Sequence, residues 1–393
     1  MERIVFHIDV NNAFLSWTAI DLLNKGYDKD VRNYVAVVGG DEKNRTGIVL
    51  AKSAPAKKLG IVTGDTLYSV KRKCPDVLVF PPNFKFYQMK SDSLFSLLSS
   101  YTPDIEIASI DECYLDYSSV KRLYGDELEF ASMLKEKIKN ELGFTVNIGI
   151  ANNKLCAKMA SDFSKPDKIH TLYDYEIEKK MHPLSVDELF GIGRSTAKKL
   201  HDIGIHTIRS LANCDAFVLK RVFKNRAIDM INRAKGISDE LVNSSNDMPK
   251  GISNEITLSE DVNDINLLNN YLYVLSQFVS QRLLNLDKYG TVVAVILKDS
   301  SFSRKNHQKK LKNPINSTDD IYNVATMLLK EMYKGEDIRL IGLRIDSFSD
   351  DLNYQYSLFD NNDNDGIDEV INNINKKYGK NAVKRASYVD LKK

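Results

Sequence analysis

Three carboxylates lie at sequence positions that neighbouring strands of one sheet could bring together. Asp9 ends the first predicted strand, and Asp111 and Glu112 are adjacent at the bend of a predicted hairpin. Carboxylate oxygens are hard ligands that suit Mg²⁺, and a site for two magnesium ions needs several of them converging from different strands. Acids at strand ends are, however, more often solvated or cap the next element. Spacing alone therefore leaves both a metal site and a solvated sheet edge open.

The elements that must position these acids follow from the periodicity of apolar residues. In chain order, the predicted elements are a strand at 4–9, a helix at 14–23, a hairpin at 105–110 and 114–117, a helix at 128–142, a strand at 145–150 and a helix at 153–163. This order resembles a ferredoxin-like domain, and short strands and a helix between residues 35 and 59 suggest a small inserted domain.

The second half of the chain has two further parts. Residues 173–236 are predicted to be helical, and the polar stretch 243–250, which contains a proline, is predicted to be a linker. A second β-α-β-β-α-β order follows, with elements at 252–258, 267–286, 291–298, a basic segment, 321–333 and 338–346. The Asn/Asp-rich stretch 360–368 is expected to be mobile.

Composition sets limits on the class of protein. The 393 residues suggest two to four domains, and 43% hydrophobic with 27% charged residues is typical of globular proteins. The longest clean apolar runs, such as Val292–Leu297, are far shorter than the ~20 residues of a membrane span. The four cysteines form no C-x-x-C pair, which argues against a zinc or disulfide framework. We expect a cytoplasmic protein without membrane contact.

The residues around the acids resemble the motifs of one family. Ile8-Asp9-Val10 with Phe14 is similar to the first motif of the Y-family DNA polymerases, and Ser109–Asp116 matches their "SIDE" motif. Asn147–Asp162, completed by Lys165-Pro166, resembles the strand-helix motif that follows. The resemblance covers roughly residues 1–350 in order and is greatest to the translesion branch of DNA polymerase IV type.

The resemblance implies a multidomain α/β (α+β) fold. The implied architecture is that of a right-hand polymerase with a ferredoxin-like palm, small fingers, a helical thumb with a helix-hairpin-helix, and a β-α-β-β-α-β little finger. The implied boundaries are palm 1–25 and 78–170, fingers 26–77, thumb 171–242, linker 243–250, little finger 251–348 and clamp-binding tail 349–393.

The implied activity is template-directed, error-prone addition of deoxynucleotides to a primer 3′-end, in translesion synthesis and DNA repair. By the resemblance, two Mg²⁺ ions are bound by Asp9, Asp111, Glu112 and the Val10 carbonyl, and the three acids are the catalytic residues. Such ions lower the pKa of the attacking 3′-hydroxyl and stabilise the pyrophosphate leaving group. Lys165 is implied to contact the triphosphate of the dNTP.

Phe14 lies where the family keeps an aromatic steric gate, five residues after Asp9. A ring under the incoming sugar rejects a 2′-hydroxyl by overlap. Without the resemblance, a core phenylalanine on an amphipathic helix would be the favoured interpretation.

Three positions depart from the family pattern. The fingers helix usually presents a Tyr and, three residues later, an Arg to the triphosphate, but Ala54 and Lys57 stand at those places. Lys57 keeps the charge for nucleotide binding without the bidentate fork of Arg. Asn11 replaces an acid often found two residues after the first Asp. Both weak nucleotide affinity and a different clamp remain open.

DNA contacts are implied in two places. Leu189–Leu200 with Gly204-Ile205 looks like a helix-hairpin-helix whose glycines let backbone N–H groups meet a phosphate, although an ordinary αα-turn is the alternative. Its DNA-binding residues are Gly191, Gly193, Arg194 and Lys198. A basic run matches the part of the little finger that grips the template duplex, although such runs are most often solvated faces. The run contains Arg304, Lys305, Lys309, Lys310 and Lys312.

The segment Gln355-Tyr356-Ser357-Leu358-Phe359 resembles the short peptide that binds the bacterial sliding clamp, with Gln355, Leu358 and Phe359 as anchors. The implied partners are thus primer-template DNA, dNTP and the clamp, and the protein is expected to be a monomer.

Two other functions share parts of this pattern. A catalytically weak or inactive clamp-associated DNA-binding factor is favoured slightly by Ala54 and Asn11, and the three acids argue against it. A nucleotidyl cyclase would share the ferredoxin-like order, but the helix-hairpin-helix argues against that class.

Overall fold

The computed structural model describes residues 3–41, 45, 47–245, 248–349, 365–379 and 382–383. The chain divides into two compact units, residues 1–40 with 47–246 and residues 41–46 with 247–393. Among the described residues, no helix combines the length and the apolar character needed to cross a bilayer. The four cysteines are free thiols.

The first unit begins with a mixed αβ region and ends in helices. Its strands and helices are β1 (Val5–Val10), α1 (Ala13–Asn24), β2 (Ala36–Gly39), β3 (Val49–Lys52), α2 (Ala54–Lys58), α3 (Leu67–Lys73), β4 (Leu78–Phe80), α4 (Phe84–Ser99), β5 (Ile105–Ile107), β6 (Glu112–Asp116), α5 (Lys121–Tyr124), α6 (Glu127–Leu142), β7 (Val146–Ala151), α7 (Lys154–Asp162), β8 (Ile169–Thr171), α8 (Ile177–Lys180), α9 (Arg194–Asp202), α10 (Ile208–Ala212), α11 (Ala216–Phe223) and α12 (Arg226–Ala234).

Strand β1 lies at the centre of a five-stranded sheet with the order β5-β6-β1-β7-β8. It pairs antiparallel with β6 on one side and with β7 on the other. Because successive side chains of a strand point to opposite faces, Phe6 and Ile8 enter the core that includes residues of α4 and α6, whereas Val5 packs in the core that includes α7. The odd-numbered residues of β1, which include His7 and Asp9, therefore lie on the same face as Val5.

A smaller sheet with the order β3-β2-β4 comes between α1 and α4 in the chain. Its β2 pairs antiparallel with β3 and parallel with β4. Helix α2 begins after β3, where the Ser53 hydroxyl accepts a hydrogen bond from the Ala56 N–H at 3.1 Å and caps the helix.

The second unit has the β-α-β-β-α-β order that the sequence predicts. Its elements are β9 (Gly251–Val262), α13 (Ile265–Leu286), β10 (Tyr289–Asp299), β11 (Arg304–Ile315), α14 (Thr318–Met332), β12 (Ile338–Ser349) and α15 (Asp365–Tyr378). The four strands form one antiparallel sheet with the order β11-β10-β12-β9, so β11 and β9 are its edges. Residues of α13 and α14 share a buried core with one face of this sheet.

Helix α15 corrects an expectation for part of the acidic, Asn-rich stretch. Residues 365–368 were expected to be mobile, but they form the first turn of α15. Asn372 is buried, and its Nδ2 lies 3.4 Å from Asn285 Oδ1 on α13. The apolar residues at 367, 370, 371 and 374 have helical spacing. The many Asn and Asp residues around them made the stretch resemble a mobile segment.

Candidate active site

The pairing of β1 with β6 brings the three predicted acids to one end of the central sheet. Asp9 lies directly opposite Glu112 in the antiparallel register. Asp111 immediately precedes β6, and its carbonyl accepts a hydrogen bond from the Val10 N–H at 3.0 Å. All four residues predicted to bind metal are therefore neighbours.

Two lysines lie among these acids. Lys158 of α7 places Nζ 2.6 Å from Glu112 Oε2 and 3.4 Å from Asp9 Oδ2. Lys165, in the loop after α7, places Nζ 3.0 Å from Asp9 Oδ1 and 2.9 Å from Asp162 Oδ1. Lys165 was predicted as a site residue and Lys158 was not. Its sequence signal is its position in the motif run of α7, four residues after the buried Lys154 on the same helix face.

The environments of the acids differ. His7 and Lys158 hold the pKa of Glu112 at about 2, against its ordinary 4.5. The His7 Nε2–Glu112 Oε2 distance is 3.5 Å, the limit of a hydrogen bond, so the 2.6 Å contact with Lys158 is the firmer of the two. Burial and the nearby charges of Asp9 and Glu112 raise the pKa of Asp111, although Ser109 Oγ donates a hydrogen bond to it at 2.7 Å.

The donor set fits a hard divalent cation. Burial raises the pKa of Asp111 most, and the nearby charges of Asp9 and Glu112 raise it further. No lysine or arginine of the described residues forms an ion pair with it, so a cation would stabilise its ionised form. Within the described parts of the chain, however, no three His, Cys, Asp or Glu side chains are grouped as metal ligands would be. Lys158 and Lys165 instead occupy oxygens of Asp9 and Glu112, so metal binding requires these side chains to rearrange.

Phe14 lies in the first turn of α1, just beyond β1. Its ring stacks on that of Tyr87, with centroids 5.0 Å apart and planes 16° apart, and meets the edge of Phe84 at 6.0 Å. The Tyr87 hydroxyl is hydrogen-bonded to Thr18 at 2.6 Å. The stack holds the half-buried ring of Phe14 in one orientation, and Tyr87 is a partner that the sequence analysis did not identify.

Asn11, a departure from the family pattern, has a positioning role. Its side-chain amide donates to Asn147 Oδ1 at 3.0 Å, and its Oδ1 accepts from the Thr145 hydroxyl at 2.9 Å and the Asp167 N–H at 2.8 Å. An aspartate could not donate the first of these bonds. Asn11 therefore anchors the loop that carries Lys165.

The other departures lie on α2. Ala54 and Lys57 are exposed and, being three residues apart, share one side of this short helix. Lys57 forms no ion pair with any described residue, so its ammonium group is available to an anion. Lys52 instead donates a hydrogen bond to the Thr63 hydroxyl at 3.1 Å.

The predicted helix-hairpin-helix forms a tight turn before α9. Gly191 has φ +94°, a conformation that favours glycine, and Gly193 is the N-cap of α9 with open space around its Cα. Arg194 and Lys198 are exposed and four residues apart on α9. The structure thus gathers these four predicted residues around one helix N-terminus.

The basic run of β11 divides between the two faces of its sheet. Lys305 and Lys309 lie on the helix side, where Lys305 pairs with Glu336 at 2.8 Å and Lys309 Nζ lies 3.6 Å from Met327 Sδ. The alternation of the strand puts the remaining three cations on the opposite face. These are Arg304, which pairs with Glu255, and Lys310 and Lys312, which form no ion pair with described residues.

Further cations near β11 were not predicted. Lys298 and Arg339 lie 4.5 and 4.8 Å from the ring centroid of Phe302, an exposed residue in the turn between β10 and β11. The predicted clamp anchors Gln355, Leu358 and Phe359 lie outside the described residues.

Comparisons with known proteins show the family to which this chain is similar. The impB/mucB/samB family model matches residues 8–162, the model of its C-terminal domain matches 249–358, and the IMS family HHH motif matches 175–205. The chain is 46% identical to DNA polymerase IV of Clostridium acetobutylicum over 389 residues, which covers 98% of each chain. It is 35% identical to DNA polymerase IV of Alkaliphilus oremlandii, over 99% of this chain and all of that one.

Solved structures of Y-family DNA polymerases are also similar to this chain. A Y-family DNA polymerase chimera of Dbh and Dpo4 superposes with a TM-score of 0.77 at 26% identity, covering 88% of this chain and 98% of that chain. The insertion ternary complex of Dbh DNA polymerase superposes with a TM-score of 0.61 at the same identity and coverage. Since relatives match over almost its entire length and carry the same fold, this chain belongs to the impB/mucB/samB family of Y-family DNA polymerases.

Proposed function

We propose that the chain is a template-directed, error-prone DNA polymerase that adds deoxynucleotides to a primer 3′-end in translesion synthesis and DNA repair. The observation that carries this conclusion is the convergence of Asp9, Asp111 and Glu112 at the paired ends of β1 and β6. Its relatives are named DNA polymerase IV, and one of its structural neighbours is an insertion ternary complex of a polymerase.

The family uses divalent metal, and we propose two Mg²⁺ ions bound by the three acids with the Val10 carbonyl. Such ions supply a lowered pKa at the attacking hydroxyl and charge stabilisation at the leaving group. Asp111 favours this proposal because burial, together with the charges of Asp9 and Glu112, raises its pKa, and no described lysine or arginine forms an ion pair with it. Glu112 stays ionised near neutral pH, as a ligand must.

For the incoming nucleotide, we assign Lys165 and Lys57 to the triphosphate and Phe14 to the sugar. Lys165 pairs with two acids, Asp9 and Asp162, and Lys57 is free of ion pairs with described residues. The aromatic stack with Tyr87 keeps the Phe14 ring from rotating away. A rigid ring discriminates by overlap more sharply than a mobile one.

For DNA, we assign phosphate binding to Gly191, Gly193, Arg194 and Lys198, where a helix N-terminus and two exposed cations coincide. In the second unit, Lys310 and Lys312 are the better candidates of the basic run because acids do not neutralise them within the described residues. Arg304 and Lys305 form ion pairs, and Lys309 packs on a methionine.

The proposed domains follow the elements. Palm 1–25 and 78–170 contains the five-stranded sheet, fingers 26–77 the small sheet, thumb 171–242 helices α8–α12, and little finger 251–348 the second β-α-β-β-α-β unit. We propose that the protein acts as a monomer and binds the sliding clamp through Gln355–Phe359. Free cysteines throughout the chain suit the reducing cytoplasm.

The test is primer extension with Mg²⁺. Asp111→Asn should lower extension by more than about 100-fold, because it removes a metal ligand, while primer-template affinity stays within about twofold. Asp92→Asn, an exposed acid on α4 away from the sheet end, is the matched control and should extend normally. Extension by Asp111→Asn at the wild-type rate would refute the assignment of Asp111 as a metal ligand. An inactive wild type that still binds DNA would favour the DNA-binding factor instead.

A further inference from the structure

Lys158 places a positive charge among the acids of the proposed metal site. Its Nζ lies 2.6 Å from Glu112, 3.4 Å from Asp9 and 3.7 Å from Asp162. The Lys158 side chain is only 12% exposed, and those of Asp9 and Glu112 are 15% and 27% exposed. Like charges repel more strongly in such partly buried surroundings than in water, so Asp9 and Glu112 need a counter-charge whenever metal is absent.

We propose that Lys158 is a tethered counter-ion that holds Asp9 and Glu112 together in the metal-free protein and competes with metal for their oxygens. This inference rests on the proposed function, since it concerns the same metal site. It assigns to Lys158 a positioning role that acts through the two acids.

Hydrogen bonds of Ser161 link the backbone of Lys158 to strand β1. The Lys158 carbonyl accepts a hydrogen bond from the Ser161 hydroxyl at 2.8 Å, and Ser161 Oγ lies 2.8 Å from Nδ1 of the buried His7. His7 belongs to β1 and pairs with Tyr114 of β6 on one side and Gly149 of β7 on the other. Helix α7 is thereby fixed to the strand that carries Asp9, so the ammonium group cannot leave the acids without a change in its own side-chain rotamers.

Competition follows from this geometry. An ion bound by Asp9 and Glu112 must take up oxygens that Lys158 contacts, so the lysine lowers the affinity for metal. When metal is absent, the positive charge of Lys158 keeps the ends of β1 and β6 paired because it offsets the repulsion between Asp9 and Glu112. Removing its charge should therefore make the stability of the protein depend on metal.

Helix α7 offers a matched control one turn earlier. Lys154 is 11% exposed and pairs with Glu106 at 2.7 Å, away from Asp9 and Glu112. Replacing either lysine by methionine keeps an unbranched side chain of similar length without the charge. Both variants lose a partly buried ion pair, but only Lys158→Met loses one at the metal site.

The experiment measures thermal unfolding of the full chain without DNA or nucleotide, in EDTA and in Mg²⁺. Lys158→Met should lower the melting temperature in EDTA by roughly 5–15 °C, and Mg²⁺ should restore a large part of that loss. Calorimetric titration should show Mg²⁺ binding tightened on the order of tenfold. Lys154→Met should lose the same amount with and without metal.

A Mg²⁺-induced rise no larger in Lys158→Met than in the wild type would overturn the proposal. If Lys158→Met does not fold, the double variant Lys158→Met with Glu112→Gln is measured instead. Removing one acid removes the repulsion, so the double variant should fold. A double variant that also fails to fold counts against the proposal. Primer extension by the wild type is read separately, so an inactive protein with the expected melting behaviour would refute the proposed function alone.

Discussion

Asp111 and Glu112 are adjacent in sequence but have opposite electrostatic surroundings. Glu112 meets His7 and Lys158, and its pKa falls to about 2. Asp111 is partly buried and lies near the like charges of Asp9 and Glu112, and its pKa rises. In the metal-free protein the first carboxylate therefore stabilises the fold and the second destabilises it.

At the residue scale, this difference predicts how stability varies with pH. Because the pKa of Glu112 falls from 4.5 to about 2 on folding, its contribution is present above pH ~4.5 and is lost as the pH falls towards 2. The loss should be on the order of 2–3 kcal/mol. Urea unfolding of the wild type and of Glu112→Gln in EDTA, at pH 7 and pH 3, checks this.

The variant should show a smaller loss between these two pH values, since it lacks the titrating group. Asp111→Asn should be as stable as the wild type at pH 7, or more so. Equal pH dependence in the wild type and Glu112→Gln would mean that the contacts of Glu112 contribute nothing in solution.

Phe14 supports a second prediction at this scale. Phe14→Ala should raise the ratio of ribonucleotide to deoxynucleotide incorporation by roughly 10-fold or more, because it opens space beneath the sugar. Phe84→Ala is the matched control, since Phe84 belongs to the same stack but is largely exposed. If both variants keep the wild-type ratio, Phe14 is a packing residue only.

At the scale of elements, β11 shows that basic residues close together in sequence need not lie on the same surface of the protein. A strand sends alternate residues to opposite faces, so Lys305 and Lys309 lie towards α14 while Lys310 and Lys312 lie on the other face. Ion pairs reduce the available charge further, because Lys305 is engaged by Glu336. Counting basic residues therefore overstates the number of DNA contacts.

This arrangement predicts a difference between two pairs of lysines. Replacing Lys310 and Lys312 by alanine should weaken binding to all duplex sequences alike and lower the slope of log K against log salt by about 0.9 for each phosphate that is no longer neutralised. Replacing Lys305 and Lys309 removes the same formal charge but should change the slope less. Fluorescence anisotropy over a salt series measures both, and equal slopes for the two variants would reject the assignment of faces.

At the scale of the whole molecule, the two units carry different parts of the proposed function. The first contains the acids and the hairpin before α9, and the second contains the cations of β11. The segment 355–359, which we propose binds the clamp, comes between β12 and α15 in the chain, so a helix follows it. Synthesis and clamp binding should therefore be separable by mutation.

The corresponding prediction concerns Leu358 and Phe359. Replacing both by alanine should weaken binding to the bacterial sliding clamp by roughly 100-fold or more, since apolar anchors dominate small interfaces. Primer extension without the clamp should stay at the wild-type rate. Leu352→Ala, outside the peptide, is the control. Unchanged clamp affinity of the double variant in a surface plasmon resonance titration would show that this segment does not bind the clamp.

The order of the elements can be predicted from the sequence, and so can the three acids proposed for the metal site. Predicted strands and helices agree with β1, α1, α6, β7 and α7 to within a residue or two, because side-chain periodicity is a local property that the chain carries into the fold. The same holds for the β-α-β-β-α-β order of the second unit. The departure at α15 arose because the Asn/Asp-rich composition of that stretch obscures its helical spacing.

Which side chains come into contact depends on the tertiary structure. Lys158 contacts Glu112, 46 positions away in sequence, and Phe14 stacks on Tyr87 from another helix. Asn11 exchanges hydrogen bonds with Asn147 and the loop beyond α7. Periodicity specifies which face of an element is buried, but the register of strand pairing and the packing of distant helices select the partner. The contact of Lys158 with the acids of the proposed metal site depends on the packing of β1, β6 and α7, which the sequence alone does not show.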